Sequence, residues 1–316
     1  MNFQTIPPVP TAKHILDVAF RGAREQAKQK KLRGNWLQII RQKEKIKLDI
    51  VKDRLTNQLQ SIGKSFPQID DLPLFYQSLA KLTLDQAEFR QSCAAMGWGI
   101  MKITGFHRQY SRMIAKTVPR GQISDTIKEF YGRVSSVIKQ IDPALRVLGE
   151  SRGILRTYPD IKEMFTVCIY GFPNVGKTTL LNTLTGSRAK VASYAFTTTT
   201  INSGFMMMGE EKIQVLDVPG TLAREKQNLV ELQAELVLKE VADIVIYVFD
   251  LSGTSGYSVE KQEQLWKKVS SIKPVLVYLS KTDVIEPALL KNQKFQAKNT
   301  EELKKEIALC LKNRRK

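Results

Sequence analysis

The chain contains few of the residues that build disulfide scaffolds and metal knots, with three cysteines and two histidines among its 316 residues. Cys93, Cys168 and Cys310 are too few and too widely spaced for either structure, and they fit a reducing compartment. The N-terminus lacks a charged-then-apolar leader, and no apolar run reaches the length of a membrane span. These features predict a soluble, cytoplasmic protein without a membrane partner.

Acidic residues are also scarce, because 31 Asp and Glu stand against 49 Lys and Arg, which gives a net charge of +18. Residues 1–164 contain 28 basic and 15 acidic side chains, whereas residues 165–316 contain 21 and 16. An excess of this size is typical of proteins whose partner is rich in phosphate. The first half of the chain therefore carries most of the positive charge available to such a partner.

Residues 171–178 read GFPNVGKT, a complete G-x-x-x-x-G-K-[ST] loop between an apolar run and a helix-compatible stretch. Glycines let backbone N–H groups turn toward phosphate, Lys177 reaches the β and γ oxygens, and the Thr178 hydroxyl ligates Mg²⁺. The pattern predicts a nucleoside triphosphate site. The predicted contacts here are Gly171, Phe172, Pro173, Asn174, Val175, Gly176, Lys177, Thr178 and Thr179.

Two further segments supply the groups that sense a γ-phosphate. Asp217-Val218-Pro219-Gly220 begins 46 residues after Gly171 and places Asp217 near the metal and the Gly220 N–H near the phosphate. The segment YAFTTTT, residues 194–200, lies between the loop at 171–178 and Asp217. It predicts a mobile loop in which one threonine hydroxyl closes on Mg²⁺. All four threonines at 197–200 satisfy this requirement, and such a run is also good strand material. We favour Thr198, and the predicted catalytic residues are Lys177, Thr198 and Gly220.

Guanine recognition requires a carboxylate that accepts hydrogen bonds from N1–H and the exocyclic amine. Asp283 in LSKTD supplies it, and the stem of Lys281 packs along the base. The usual pattern is N-K-x-D, and the Ser280 substitution removes an amide brace worth about 1 kcal/mol but keeps the specificity carboxylate. These elements in order predict GTP or GDP. The S-A-K turn, whose backbone faces guanine O6, is represented by Gln296, Ala297 and Lys298.

Two positions bear on hydrolysis. Thr221 stands where many GTPases have a water-orienting glutamine, and neither His14 nor His107 lies in this half of the chain, so we expect slow intrinsic turnover. Asn174 resembles the residue of potassium-dependent GTPases that helps to hold a monovalent cation beside the phosphates. One hypothesis is therefore a K⁺ ion that stabilises transition-state charge; the other is that Asn174 only braces the loop.

Hydrophobic periodicity divides the chain into a helical part and an alternating part. Apolar residues at steps of three and four predict long helices before residue 160, with a break at Asp142-Pro143. From Phe165, short β-rich runs alternate with helical stretches. The pattern predicts an all-α antiparallel bundle over residues 1–160. It predicts an α/β P-loop GTPase domain, with a doubly wound and mostly parallel sheet, over residues 161–316.

The motifs together resemble the nucleolar GTP-binding (NOG) family of Obg-like GTPases. The similar segments are PNVGKTTLLN, YAFTT, DVPG, NLVELQA, VFDLSGTSGY, FYGRVSSVIKQIDPALRVLGESRGILRTYPDI, NFQTIPPVPTAKHILDVAFRGA and FPQIDDLPLFYQSL. They are distributed over nearly the whole chain, which resembles the short archaeal version of the family. The resemblance implies GTP-dependent association with the large ribosomal subunit or its precursor through rRNA. Departures at Ser280, Thr221 and TGSRAKVAS bear on turnover more than on binding.

Basic residues of the first half favour an RNA partner independently. Arg108, Arg112 and Lys116 lie at i, i+4 and i+8, where like charges repel by a few tenths of a kcal/mol unless a polyanion neutralises them. A solvated face is the usual explanation for any single residue, but the summed charge favours RNA, bound through phosphates and 2′-OH groups. The second basic zone comprises Lys28, Lys30, Lys31, Arg33, Arg41, Lys43, Lys45 and Lys47.

Three functions compete on this sequence. The leading hypothesis is a GTPase switch in large-subunit assembly, monomeric away from the ribosome. Thr221 favours an alternative, a structural placeholder that binds GTP or GDP on the ribosome with negligible hydrolysis. A P-loop kinase or ATPase conflicts with Asp283 and the switch threonines.

Overall fold

The computed structural model describes residues 3–30, 32–116, 120–186, 192–196, 199–218, 229–285 and 297–314, with backbone alone at 120, 192–196, 199–200 and 229–230. The predicted or discussed residues Lys31, Thr197, Thr198, Pro219, Gly220, Thr221 and Gln296 therefore lie outside the described residues. The chain forms two compact units. The helical unit comprises Gln4–Asp71 and Thr83–Arg156, and the sheet unit comprises Met1–Phe3, Leu72–Leu82 and Thr157–Lys316.

Six α-helices precede the first strand in the described residues. Their ends follow local signals: the Thr11 hydroxyl accepts a hydrogen bond from the His14 N–H at 3.3 Å. Asn35 and Gln38 form a reciprocal capping box. The helices are α1 (Ala12–Gln29), α2 (Trp36–Ser65), α3 (Leu74–Thr83), α4 (Gln86–Lys116), α5 (Arg120–Gln140) and α6 (Asp142–Leu155).

The helical unit has an antiparallel core, as the sequence predicts. Near one end of the α2–α4 pair His107 contacts Asp49 at 2.6 Å, and at the other end the rings of Phe66 and Phe89 lie 5.8 Å apart. Residues late in α4 thus meet residues early in α2. The apolar stripe of α2, with the predicted steps of three and four, is buried, and it comprises Leu48, Val51, Leu55, Leu59 and Ile62.

The sheet unit contains seven strands in the order β2-β3-β4-β1-β5-β6-β7. The β1–β4, β1–β5, β5–β6 and β6–β7 pairs are parallel, whereas β2–β3 and β3–β4 are antiparallel. The mostly parallel α/β fold is therefore confirmed. Its elements are β1 (Thr166–Tyr170), α7 (Lys177–Thr185), β2 (Ala192–Phe196), β3 (Thr199–Met208), β4 (Glu211–Asp217), α8 (Leu229–Glu240), β5 (Ile244–Asp250), α9 (Val259–Ser270), β6 (Val275–Ser280), β7 (Ala297–Lys298) and α10 (Thr300–Asn313).

Of the two interpretations of residues 194–200, a loop or a strand, the described part shows a strand. Residues 192–196 form β2, which pairs in antiparallel register with residues 199–203 of β3, so that Phe196 lies opposite Thr199. The strand propensity of the Tyr, Phe and Thr residues explains this outcome, because aromatic and β-branched side chains fit a pleated sheet.

Helix α3 belongs with the sheet unit although it lies early in the chain. The Tyr76 hydroxyl donates to the Pro159 carbonyl at 2.8 Å and accepts from the Ile161 N–H at 3.0 Å. Phe3 packs edge-on against Tyr76 at 5.2 Å. The division of the sequence at residue 160 remains a prediction, since these contacts draw two N-terminal segments into the second unit.

Across the described helices, none is long and apolar enough to cross a membrane. The functional geometry instead lies at the carboxyl edge of the sheet. Parallel strands β1, β4, β5 and β6 end there at Tyr170, Asp217, Asp250 and Ser280. Ligands of open α/β folds bind at this edge.

Candidate nucleotide-binding site

The loop between β1 and α7 has the backbone shape of a phosphate cradle. Gly171 has φ of 150°, and a Cβ built on it would lie 2.7 Å from the Val248 carbonyl oxygen. Gly176 caps α7 with φ of 94°, and Asn174 also has positive φ, at 62°. Only glycine fits at Gly171, and the N–H groups at the start of α7 suit the loop to an anion.

Lys177 lies inside this loop. Its ammonium donates a hydrogen bond to the Phe172 carbonyl at 2.7 Å, and its side chain is buried. Burial lowers the pKa of the Lys177 ammonium, and the charge of Asp217 opposes that effect. The loop therefore holds a buried cation, and the role of Lys177 at phosphate oxygens stays a prediction.

Thr178 and Asp217 meet across the start of α7 and the end of β4. The Thr178 hydroxyl donates to Asp217 Oδ2 at 2.5 Å, and the Asn202 amide donates to the same oxygen at 3.3 Å. A hydroxyl and a carboxylate suit Mg²⁺, which binds one or two protein oxygens together with phosphate oxygens. Larger clusters of three or more His, Cys, Asp or Glu that could hold a metal do not occur in the described residues. The residues present thus fit Mg²⁺ bound jointly with a nucleotide.

Asn202 is a site residue that the sequence analysis did not find. It lies on β3 directly opposite Asp217 of β4 in the antiparallel register. Counting back from the turn at Gly209, which joins β3 to β4, would have placed the two residues together. Its amide helps to hold the Asp217 carboxylate toward Thr178.

Ser280 and Lys281 connect the guanine-reading segment to neighbouring strands. The Ser280 hydroxyl donates to the Phe249 carbonyl of β5 at 3.0 Å. A Cβ built on Gly176 would lie 3.4 Å from Ser280 Cβ, so Ser280 abuts the phosphate loop. Asp283 follows three residues later and is exposed. The structure thus brings the predicted base-reading residues beside the predicted phosphate-binding ones.

Asp250 is a second residue that the sequence analysis did not assign to the site. Its side chain is 0% exposed at the end of β5, and it forms an ion pair with Lys281 at 2.7 Å. Burial would raise the pKa of Asp250, but hydrogen bonds from Lys281 and Ser252 and the Lys281 charge outweigh burial and lower it to about 2. Asp250 is therefore a fixed negative charge beneath the base-reading segment.

Several predicted contacts can involve only the backbone. The side chains of Phe172 and Val175 are buried in the core, and the Phe172 ring packs on Tyr257 with centroids 4.6 Å apart. The Lys298 side chain is engaged by Glu306 of α10 at 2.9 Å, which leaves its backbone for the predicted contact with guanine O6. Pro173, Asn174, Thr178 and Thr179 keep exposed or half-exposed side chains.

Of the predicted RNA-binding residues, Arg108, Arg112 and Lys116 are all exposed on α4, and we call them the α4 basic face. Lys47 is neutralised within the chain, because it pairs with Glu44 at 2.7 Å. The α4 basic face is thus better suited than Lys47 to an external polyanion. In the second basic zone, the exposed residues are Lys28, Lys30, Arg33 and Lys45, and the half-buried ones are Arg41, Lys43 and Lys47.

Comparison with known proteins matches both units to described families. Residues 3–162 match the NOG1 N-terminal helical domain. Residues 166–281 match the 50S ribosome-binding GTPase family. The two matches together cover the helices of the helical unit and the strands of the sheet unit that lie at the candidate nucleotide site.

Relatives extend the match over nearly the whole chain. An uncharacterized protein of Methanocaldococcus jannaschii is 33% identical over 296 residues, which cover 92% of this chain and 83% of that protein. Nucleolar GTP-binding protein 1 of Saccharomyces cerevisiae is 26% identical, over 94% of this chain and 47% of that protein. Nucleolar GTP-binding protein 1 of Drosophila melanogaster is 27% identical, over 90% of this chain and 45% of that protein. The chain thus spans about half the length of these two eukaryotic relatives.

A solved structure, the G domain of the Thermotoga maritima FeoB iron transporter, covers 47% of this chain and 99% of its own chain. It is 26% identical, with a TM-score of 0.39. A likeness of that extent carries no argument about function.

Proposed function

Because this chain belongs to the nucleolar GTP-binding protein 1 family, we propose that it is a Mg²⁺-dependent GTPase switch that acts in large ribosomal subunit assembly by binding rRNA. One observation carries the nucleotide part of the proposal. The phosphate loop, the Thr178–Asp217 pair and the segment that ends at Asp283 lie together at the carboxyl edge of one sheet. A family of nucleolar GTP-binding proteins supports the ribosomal part.

The described residues divide the work of binding GTP. The N–H groups of the phosphate loop and the ammonium of Lys177 bind phosphate oxygens, and Asp283 accepts hydrogen bonds from guanine. Thr178 and Asp217 would hold Mg²⁺, which supplies positive charge against the β and γ oxygens when bound. Thr198 and Gly220 remain the proposed γ-phosphate sensors.

Equilibrium binding tests this assignment directly. We expect the wild type to bind GDP at least a hundredfold more tightly than ADP in Mg²⁺, because adenine offers Asp283 an acceptor where guanine offers donors. Equal affinities would remove guanine recognition from the proposal. Chelation with EDTA should weaken GDP binding if Thr178 and Asp217 act through the metal.

The α4 basic face supports the RNA part. Three exposed cations at successive helical turns repel one another, and a polyphosphate backbone relieves that repulsion. We propose that this face contacts duplex rRNA through phosphates, with little sequence readout. The measurement is the salt dependence of RNA affinity, which should be steep if several phosphates are contacted. A flat dependence would contradict the proposal.

A structural placeholder is the second candidate, favoured by Thr221, which lacks the carboxamide that orients water in many GTPases. Single-turnover hydrolysis separates the two functions. A rate that rises when large ribosomal subunits are added supports the switch, and a negligible rate in both conditions supports the placeholder. The same assay in K⁺ and Na⁺ tests the proposed K⁺ role of Asn174, and equal rates would remove it.

A further inference from the structure

We propose that Asp250 is a positioning residue for guanine recognition, which fixes Lys281 against the base now that Ser280 stands where an asparagine brace is usual. The proposal rests on the guanine site proposed above. It adds a residue from outside the N-K-x-D pattern to the machinery that reads the base.

The contact geometry ties Asp250 to Lys281 specifically. Lys281 Nζ lies 2.7 Å from Asp250 Oδ2 and also donates to the Thr254 hydroxyl at 2.6 Å. The carboxylate is fully buried, whereas the lysine side chain is 28% exposed. A flexible lysine is thereby anchored at its charged end, so that its methylene stem is held in one place.

The anchor is itself rigid. The Asp250 N–H donates to the Gln262 side-chain oxygen at 2.9 Å, and the Gln262 amide donates back to the Asp250 carbonyl at 2.9 Å. The Ser255 N–H donates to the carboxylate at 2.9 Å. Backbone and side chain of Asp250 are therefore both held by hydrogen bonds, and a charge held in this way is an effective positioning group.

The backbone of Lys281 explains why it needs an anchor. Its φ of 52° lies in the left-handed region, which is uncommon for a residue with a Cβ and persists where the surroundings impose it. The Val284 N–H closes a turn on the Lys281 carbonyl at 3.1 Å. Asp283 lies within that turn, so the conformation of Lys281 determines where the specificity carboxylate is presented.

The test is a double-mutant cycle on GDP affinity in Mg²⁺, measured by titration calorimetry on the full chain. We expect Asp250→Asn to weaken GDP binding about tenfold, or about 1.4 kcal/mol. Lys281→Met keeps most of the stem and removes the charge. In the Lys281→Met background, Asp250→Asn should weaken binding by less than about twofold, because its partner is already absent.

If Asp250→Asn weakens GDP binding by the same factor in the wild-type and the Lys281→Met background, the proposal is overturned. Asp250 would then act only by ordering the loop at 252–255. An unchanged GDP affinity in the single variant would overturn it too. Glu235→Gln is the matched control. It removes a half-buried carboxylate of α8 that pairs with Lys239 at 2.8 Å and Lys268 at 3.3 Å, and it should leave GDP affinity unchanged.

A second variant keeps the test decisive if Asp250→Asn does not fold. Thr254→Val removes the other Lys281 contact, and we expect a twofold to threefold loss that disappears in the Lys281→Met background. A loss that persists there would contradict the proposal. If the wild type binds GDP more tightly than ADP, the proposed guanine site stands whatever the variants show. If it does not, both the guanine site and the role of Asp250 are overturned.

Discussion

The buried Asp250 carboxylate should make the stability of the sheet unit depend on pH in a defined way. Burial would raise its pKa, but hydrogen bonds and the charge of Lys281 lower it from 3.8 to about 2. A difference of that size corresponds to about 2 kcal/mol of unfolding free energy at neutral pH. Because the folded state has the lower pKa, this stability is present above pH 3.8 and is lost as the pH falls toward 2.

Asp250→Asn should therefore destabilise the sheet unit by about 2 kcal/mol at pH 7, and the difference from wild type should shrink to roughly half near pH 3. Urea unfolding followed by tryptophan fluorescence measures this. The chain has three tryptophans, and only Trp266 lies in the sheet unit, so Trp36→Phe and Trp98→Phe in both proteins isolate its signal.

A stability difference that stays constant from pH 7 to pH 3 would refute this reasoning, because the loss would then come from shape and not from charge. Glu235→Gln serves as the control at each pH. Its partners, Lys239 of α8 and Lys268 of α9, are about half exposed, so its effect should stay below about 1 kcal/mol throughout.

Three further predictions concern the base, the phosphate loop and the basic face. Asp283→Asn should weaken GDP binding at least about a hundredfold. It should improve binding of xanthosine diphosphate, because the 2-oxo group of xanthine accepts a hydrogen bond from the new amide. Unchanged GDP affinity would contradict the role of Asp283. Gly171→Ala should destabilise the sheet unit by about 1–3 kcal/mol, because its Cβ would meet the Val248 carbonyl at 2.7 Å, whereas Gly149→Ala, with nothing within 4 Å, should be neutral or stabilising. Replacing the α4 basic face with alanines should reduce the salt slope of RNA binding by roughly 2–3, and an unchanged slope would exclude this face.

The last of these has a matched control in the same unit. Lys128, Arg133 and Arg146 are exposed cations that already pair with Asp125, Glu129 and Asp142, at 3.3, 3.7 and 2.7 Å. Their triple alanine variant removes the same charge. It should change the salt slope of RNA binding less than the α4 variant does.

Local signals made much of this fold predictable. The Asp142-Pro143 break sets a helix boundary that the sequence places correctly, because proline acts within a few residues. The Thr11 hydroxyl caps α1 through a similarly local contact. The phosphate loop was equally readable, since its spacing alone dictates a turn into a helix. Strand β2 was not predicted, because the run YAFTTTT satisfies both a loop with a metal ligand and a strand.

The contacts that the sequence did not reveal join residues far apart in the chain. Asn202 reaches Asp217 only through the hairpin register, and Asp250 reaches Lys281 only because β5 and β6 end side by side. Phe172 also packs against a residue that is distant in the sequence, since its ring contacts Tyr257 of another loop. Such pairings follow from the tertiary arrangement, which no single segment encodes.

Co-sedimentation with purified large ribosomal subunits tests the central claim most directly. The comparison is between a non-hydrolysable GTP analogue, GDP and no nucleotide, at two salt concentrations, with Asp283→Asn and the α4 alanine variant beside the wild type. A nucleotide-gated rRNA switch predicts binding that the GTP analogue favours, that salt weakens and that both variants reduce. Binding that is absent in every nucleotide state, or equal in all three, would contradict it.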